Sequence, residues 1–177
     1  MSEKATFVLI CGLSGAGKST LAKVIAEHLG MKYLSADEFY EKVNGDECIH
    51  INKFEVWIEL FKAIHECEIE GIDCLVDSNA LATSGRDEFI HWFPNFNHHI
   101  IYVDADDALR MANNLRRKRK IPDSVMLGMR ARAEPPVWAT LDKKWKSLLR
   151  IQNIGNHYKI IQKEGETPYG PLENLVW

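Results

Sequence analysis

A parallel five-stranded sheet layered between helices is the fold class this sequence predicts, and three observations carry the prediction. Short apolar runs alternate with stretches of helical periodicity along the chain. A glycine-rich segment, Gly12 to Ser19, separates the first apolar run from the first helical stretch. Three of the apolar runs stop at an aspartate: Asp37, Asp77 and Asp104. Strands with a helix in every long gap form a three-layer αβα stack, and ligands of such sheets bind beyond the carboxyl ends of the strands.

Each element follows from local pattern. Phe7 to Cys11 is an unbroken apolar run, which predicts a buried strand. From Thr20 to Leu29, the residues Leu21, Val24, Ile25 and Leu29 share one helical face. Tyr33-Leu34-Ser35 predicts a second strand, ending at Ala36-Asp37. Phe54, Trp57, Ile58, Phe61 and Ile64 recur at helical spacing through about Glu70, and Gly71 closes that helix. Cys74-Leu75-Val76 is the third strand, stopping at Asp77-Ser78-Asn79. Arg86 to Trp92 reads as helix, His98 to Val103 as the fourth strand. A helix beginning at Asp106 runs into Arg116-Arg117-Lys118-Arg119-Lys120, and Pro122 opens another. Pro135-Pro136 breaks the chain, Val137 to Leu149 predicts a last helix, and Tyr158 to Gln162 a fifth strand. From Gly165 onward the chain reads as loop.

The glycine-rich segment is Gly-Leu-Ser-Gly-Ala-Gly-Lys-Ser, a full G-x-x-x-x-G-K-[ST] phosphate loop between a strand and a helix. Gly12, Gly15 and Gly17 let the backbone turn so that successive N–H groups, including those around Ser14 and Ala16, converge on one anion. The positive end of the helix dipole adds to them. Lys18 supplies a mobile charge for the β- and γ-phosphates, the Ser19 hydroxyl suits Mg²⁺, and Thr20 lies beside it. This predicts a P-loop NTPase fold formed as one domain over residues 1–177, with a helical lid at about 113–135.

Such loops serve kinases, GTPases and motor ATPases, and the remaining residues separate them. No N-K-x-D guanine signature is present, and the chain is short for a motor. Asp37, one helix beyond the loop, is placed to take a proton from an acceptor hydroxyl. Its other reading is a cap on the segment that follows. Asp77, with Ser78 and Asn79, suits support of metal or acceptor, or else an Asx turn. Asp104 reads mainly as a helix start. The basic run 116–120 reads as a mobile lid that brings an arginine to the phosphates, Arg116 ahead of Arg117 and Arg119. Arg130 and Arg132 follow on the next helix.

Bulk composition narrows the partners. With 46% apolar and 27% charged residues and a net charge of −3, no global basic field exists to hold a polyanion. Cys11, Cys48, Cys67 and Cys74 form no C-x-x-C pair and predict reduced thiols. Met1-Ser2-Glu3-Lys4 leads directly into the first strand, so a cytoplasmic location is expected. No apolar run reaches the roughly 20 residues of a membrane helix. The seven histidines show no metal spacing; His98 and His99 point to opposite sides of a strand, and His65 lies on an apolar helix face.

Gly12–Ser19, Ser35-Ala36-Asp37, Val76-Asp77-Ser78-Asn79 and Asn113 to Pro122 together resemble the phage-type 5′-hydroxyl polynucleotide kinases, across about residues 5–165. The resemblance implies an ATP- and Mg²⁺-dependent kinase with Asp37 as base, Asp77-Ser78-Asn79 as the triplet after strand three, and Arg116 to Pro122 as lid. It also departs from that pattern. The arginine that grips substrate phosphate in that family falls on Tyr40, and a second lid arginine falls near Ala112. The expected reaction is γ-phosphate transfer to a polynucleotide 5′-hydroxyl. A small metabolite, a nucleoside or a nucleoside monophosphate is the alternative acceptor, and a non-catalytic ATP-binding switch is the alternative of another class. The base is expected near the loop after Ile161, from Gly165 to Pro171.

Overall fold

The computed structural model describes residues 4–46, 51–118 and 120–170. Six strands form one sheet: β1 (Thr6–Cys11), β2 (Lys32–Ser35), β3 (Cys74–Asp77), β4 (Asn97–Ala105), β5 (Trp145–Asn153) and β6 (Tyr158–Gly165). Their order is β2-β3-β1-β4-β5-β6. The first five are parallel, and β6 returns antiparallel along β5. The helices are α1 (Lys18–Leu29), α2 (Ala36–Asn44), α3 (Lys53–Glu70), α4 (Thr83–Trp92), α5 (Asp107–Arg116) and α6 (Asp123–Ala131).

The central strand β1 explains the three layers. Its side chains alternate, and both sets are fully buried. Phe7, Leu9 and Cys11 join the core under α3 and α4, with Leu60, Ile64 and Phe89. Val8 and Ile10 join the core under α1, with Leu21, Ile25 and Leu75. A strand covered on both faces needs apolar residues at every position, which is the unbroken run the sequence carries. The register sets Ile10 beside Asp77, and Cys11 beside Tyr102. The ends of β1 and β3 therefore meet where the glycine loop begins.

Three expectations are corrected. The helix expected over Val137 to Leu149 is a single 3-10 turn at Trp138–Thr140 followed by β5. Val137, Leu141, Trp145 and Leu149 recur at intervals of four, which imitates a helix. Asp142 breaks it: its carboxylate accepts from the Lys144 N–H at 2.8 Å, and its carbonyl accepts from the Trp145 N–H at 3.0 Å. Beyond that turn, Leu148 and Leu149 are buried on opposite faces of the sheet. The expected fifth strand is thus the sixth, joined by a hairpin rather than a helix. Second, a helix follows β2 directly: Ser35 caps α2 by accepting from the Glu38 N–H, so Asp37 lies in a first helical turn rather than at a strand end. Third, α5 stops at Arg116, so Arg117 and Lys118 belong to a loop; Arg119 lies outside the described residues, as does Cys48.

The side chain of Asn114 closes that loop at its base. It donates to the Ile121 carbonyl at 2.7 Å and accepts from the Ile121 N–H at 3.0 Å. His98 and His99 are buried on opposite faces as expected, whereas His65 is exposed beside Glu68. Cys11, Cys67 and Cys74 are buried free thiols. Among the described residues no helix is long and apolar enough to cross a membrane.

Candidate active site

The glycine loop leaves β1 and enters α1 with Gly12, Gly15 and Gly17 all at positive φ. At Gly15 the space is occupied as well: a Cβ there would lie 2.5 Å from the Arg110 carbonyl oxygen. Only glycine fits such a position. The loop floors a cleft of about 460 Å³. Ser14, Gly15, Gly17, Lys18, Ser19 and Thr20 line it, while Gly12 and Ala16 are buried behind.

Four consecutive loop carbonyls are tied by side chains of other elements, of which Asn113, Asn153 and Tyr158 also line the cleft. Arg110 Nε donates to Ser14 O at 3.0 Å and Asn113 Nδ2 to Gly15 O at 2.9 Å, both from α5. From the β5–β6 hairpin, Asn153 Nδ2 donates to Ala16 O at 3.0 Å and the Tyr158 hydroxyl to Gly17 O at 3.0 Å. Within the loop the Ala16 N–H donates to the Leu13 carbonyl at 3.2 Å; N–H groups left without such a partner at a helix N-terminus suit an anion.

Lys18 opens α1 and is buried. Its ammonium donates to Asn79 Oδ1 at 2.9 Å and to the Leu13 carbonyl at 3.2 Å. Burial pulls its pKa down from the ordinary lysine value, and Asp77 and then Asp37 oppose that. Asn79 Oδ1 also lies 3.5 Å from the Ser14 hydroxyl, and the Asn79 carbonyl accepts from the Gly12 N–H. Asn79 is therefore bonded to the glycine loop while it lines the cleft with Asp77 and Ser78. The Ser14 hydroxyl in turn touches Met129 Sδ of α6 at 3.3 Å.

Asp77 ends β3, is 5% exposed, and faces the cleft beside Ser78. Its Oδ2 accepts from the Tyr33 hydroxyl at 3.0 Å. Burial and then the Asp77 charge push the Tyr33 pKa well up, so it stays a donor. Asp37 enters the cleft from α2, and its Oδ2 lies 3.6 Å from Arg117 Nη2.

Several expected residues lie elsewhere. Arg116 is exposed on α5 and does not line the cleft, whereas Arg117 does. Arg130 pairs with Asp107, and Arg132 donates to the Gly128 carbonyl in the solvent. Asp104 pairs with Arg150 at 3.8 Å. Residues Gly165 to Pro168, expected beside the base, line a different cleft with Lys4, Asp73 and Asn97, at the opposite end of the sheet. Pro171 lies outside the described residues. The segment that borders the glycine loop is the β5–β6 turn, with Gly155, Asn156 and His157 on the cleft wall. Tyr33, Arg110, Asn113, Asn153 and Tyr158 were not singled out from sequence. Each acts across elements and leaves no local pattern; only the proximity of Asn113 to the basic run hinted at one of them.

Comparison with known proteins bears on the family and the fold. A family model described as an AAA domain (AAA_33) matches residues 7–136. A cytidylate kinase from Pyrococcus horikoshii is 27% identical over 82 residues, which is 46% of this chain and 43% of that protein. The chain spans less than half the length of the curated relatives it matches. A sugar kinase from Janibacter sp. HTCC2649 superposes with a TM-score of 0.64 at 18% identity, covering 84% of this chain and 85% of that one. A chain of the Pnkp1/Rnl/Hen1 RNA repair complex gives 0.66 at 13% identity, covering 75% and 45%. At such identities the likeness is one of fold. The chain belongs to the AAA_33 family, and its structure is the α/β P-loop fold shared with these kinases.

Proposed function

We propose that this protein is an ATP- and Mg²⁺-dependent kinase that transfers the γ-phosphate to a hydroxyl of a small polar molecule. The observation that carries the reading is the make-up of the cleft. Lys18 and Arg117 face Asp37 and Asp77 in one space of about 460 Å³. Two cations suffice for the phosphate tail, and two carboxylates remain for proton transfer and metal. A wall so balanced is poorly suited to a polyanion. The match to a cytidylate kinase and the fold of the sugar kinase support a small acceptor.

The loop N–H groups and Lys18 hold the β- and γ-phosphates. Asp37 accepts the proton of the acceptor hydroxyl, a role worth about 10²–10⁴-fold in rate. Asp37 and Arg117 face each other across 3.6 Å. A triphosphate competes for Arg117 and leaves the carboxylate free for the acceptor. Residues 113–135 act as the lid that carries Arg117. Asp77, held by Tyr33, orients metal or acceptor. The donor set fits Mg²⁺: the Ser19 hydroxyl and the Asp77 carboxylate are hard oxygens that line the same cleft. No cluster of three or more His, Cys, Asp or Glu able to hold a metal exists among the described residues. Once bound, Mg²⁺ offsets charge that develops on the transferred group.

A polynucleotide 5′-hydroxyl is the second reading, favoured by the basic run 116–120. The test is an acceptor screen with γ-labelled ATP over oligonucleotides, nucleosides, nucleoside monophosphates, sugars and sugar acids. Label on a small hydroxyl acceptor is the expected result. Label confined to oligonucleotides, with activity falling steeply as salt rises, selects the second reading. Nucleotide binding with no transfer to any acceptor makes the chain a switch.

A further inference from the structure

The geometry points to a set of positioning residues that preform the phosphate loop: Arg110, Asn113, Asn153 and Tyr158 hold its carbonyls so that its N–H groups face the ligand before any ligand arrives. The proposal rests on the nucleotide-binding reading of the cleft and is independent of the acceptor.

A glycine-rich loop is the segment least able to hold one shape by itself, because glycine loses the most conformational freedom on ordering. If the loop were ordered by its ligand, the binding energy would be reduced by that ordering. Here Ser14, Gly15, Ala16 and Gly17 each give a carbonyl to a side chain of another element, at 2.9–3.0 Å. The four donors come from two elements on different strand connections, α5 and the β5–β6 hairpin. They are fixed in turn. Arg110 is buried and its Nη1 is also bonded to Asp107 at 2.7 Å, while Asn153 Oδ1 accepts from the Gly155 N–H at 2.9 Å. A Cβ at Gly17 would fall 2.5 Å from Asn153 Nδ2 and 2.7 Å from the Tyr158 hydroxyl. The two side chains thus occupy the place where any other residue would keep its own. This also gives the antiparallel strand β6 a purpose. It begins at Tyr158 and brings that hydroxyl to the loop beside Asn153, the last residue of β5.

The test is binding, measured by calorimetry on the full chain with the non-hydrolysable analogue AMP-PNP and Mg²⁺, and with inorganic pyrophosphate. Tyr158→Phe keeps the ring and removes one donor. It is expected to weaken both probes roughly fivefold, and Tyr158→Phe with Asn153→Ala at least about 30-fold. Equal losses for the two probes locate the effect in the phosphate loop. Backbone ¹⁵N relaxation provides the signature that a merely structural role would not move. Gly15, Gly17 and Lys18 amides should show exchange in the ligand-free variant and none in the ligand-free wild type. Ligand-free melting temperatures of Tyr158→Phe and wild type should agree closely. Should the double variant fail to fold, the single conservative variant still decides the matter. Wild-type affinity in Tyr158→Phe for both probes overturns the proposal, as does a loss seen with AMP-PNP but not pyrophosphate, which would move Tyr158 to the nucleoside. A wild-type chain that binds neither probe overturns the nucleotide reading beneath it.

Discussion

Asp37 and Arg117 sit 3.6 Å apart in the cleft, and single substitutions separate their roles. Asp37→Asn keeps the shape of the side chain and removes the proton acceptor. It should lower kcat by about 10²–10⁴-fold while nucleotide affinity, read by calorimetry, stays within about twofold. Arg117→Ala should lower kcat by about 10³-fold or more, whereas Arg116→Ala, on an exposed residue outside the cleft, should leave kcat nearly unchanged. Tyr33→Phe removes the hydroxyl that Asp77 accepts from, and roughly tenfold should be lost from kcat/KM. At this scale the phosphate loop was fully legible, because its chemistry needs fixed residues at fixed spacing. Asp37 and Asp77 were legible as acids after strands. Tyr33 and Tyr158 were not, because a hydroxyl that reaches across elements has no partner at a predictable separation in the chain.

At the scale of elements, the lid loop depends on Asn114, which is 2% exposed and bonded both ways to the Ile121 backbone. Asn114→Ala leaves two backbone groups without these partners and should cost about 1–3 kcal/mol of stability, read as a lower melting temperature. Because the loop then loses its closed base, Arg117 is presented less well, and kcat should fall with it. The element pattern was read correctly from β1 through α1 and from α3 through β4, where burial on both sheet faces or on one helical face imposes a clear period. It failed at Val137 to Leu149, where apolar residues spaced by four suggested a helix. The turn at Asp142 and pairing with β4 override that local preference. The same error hid the hairpin, and with it Asn153, Tyr158 and the cleft wall between them.

For the whole molecule, stability should depend on pH through two buried histidines. Burial pulls the His98 pKa down to about 4, and burial and then the neighbouring His98 do the same for His99. The unfolded chain titrates near 6.5, so it takes up protons before the folded one. Stability contributed by the neutral rings is complete above about pH 6.5 and is lost as pH falls toward about 4. The melting temperature should drop between about pH 7 and pH 5, and His98→Leu should flatten that slope. His98 suits this test because its ring packs among Phe7, Phe96 and Trp145, and the variant also gives up the ring's 2.7 Å bond with the Phe93 carbonyl, a loss that is the same at every pH.

The central claim is that one cleft holds a triphosphate against a carboxylate that serves the acceptor. Its most direct test is single-turnover transfer of labelled phosphate from saturating ATP to the best small acceptor, in wild type and Asp37→Asn side by side. The account predicts transfer by the wild type and a rate reduced at least about a hundredfold in the variant, with equal amounts of nucleotide bound. A variant that transfers phosphate as fast as the wild type would contradict it.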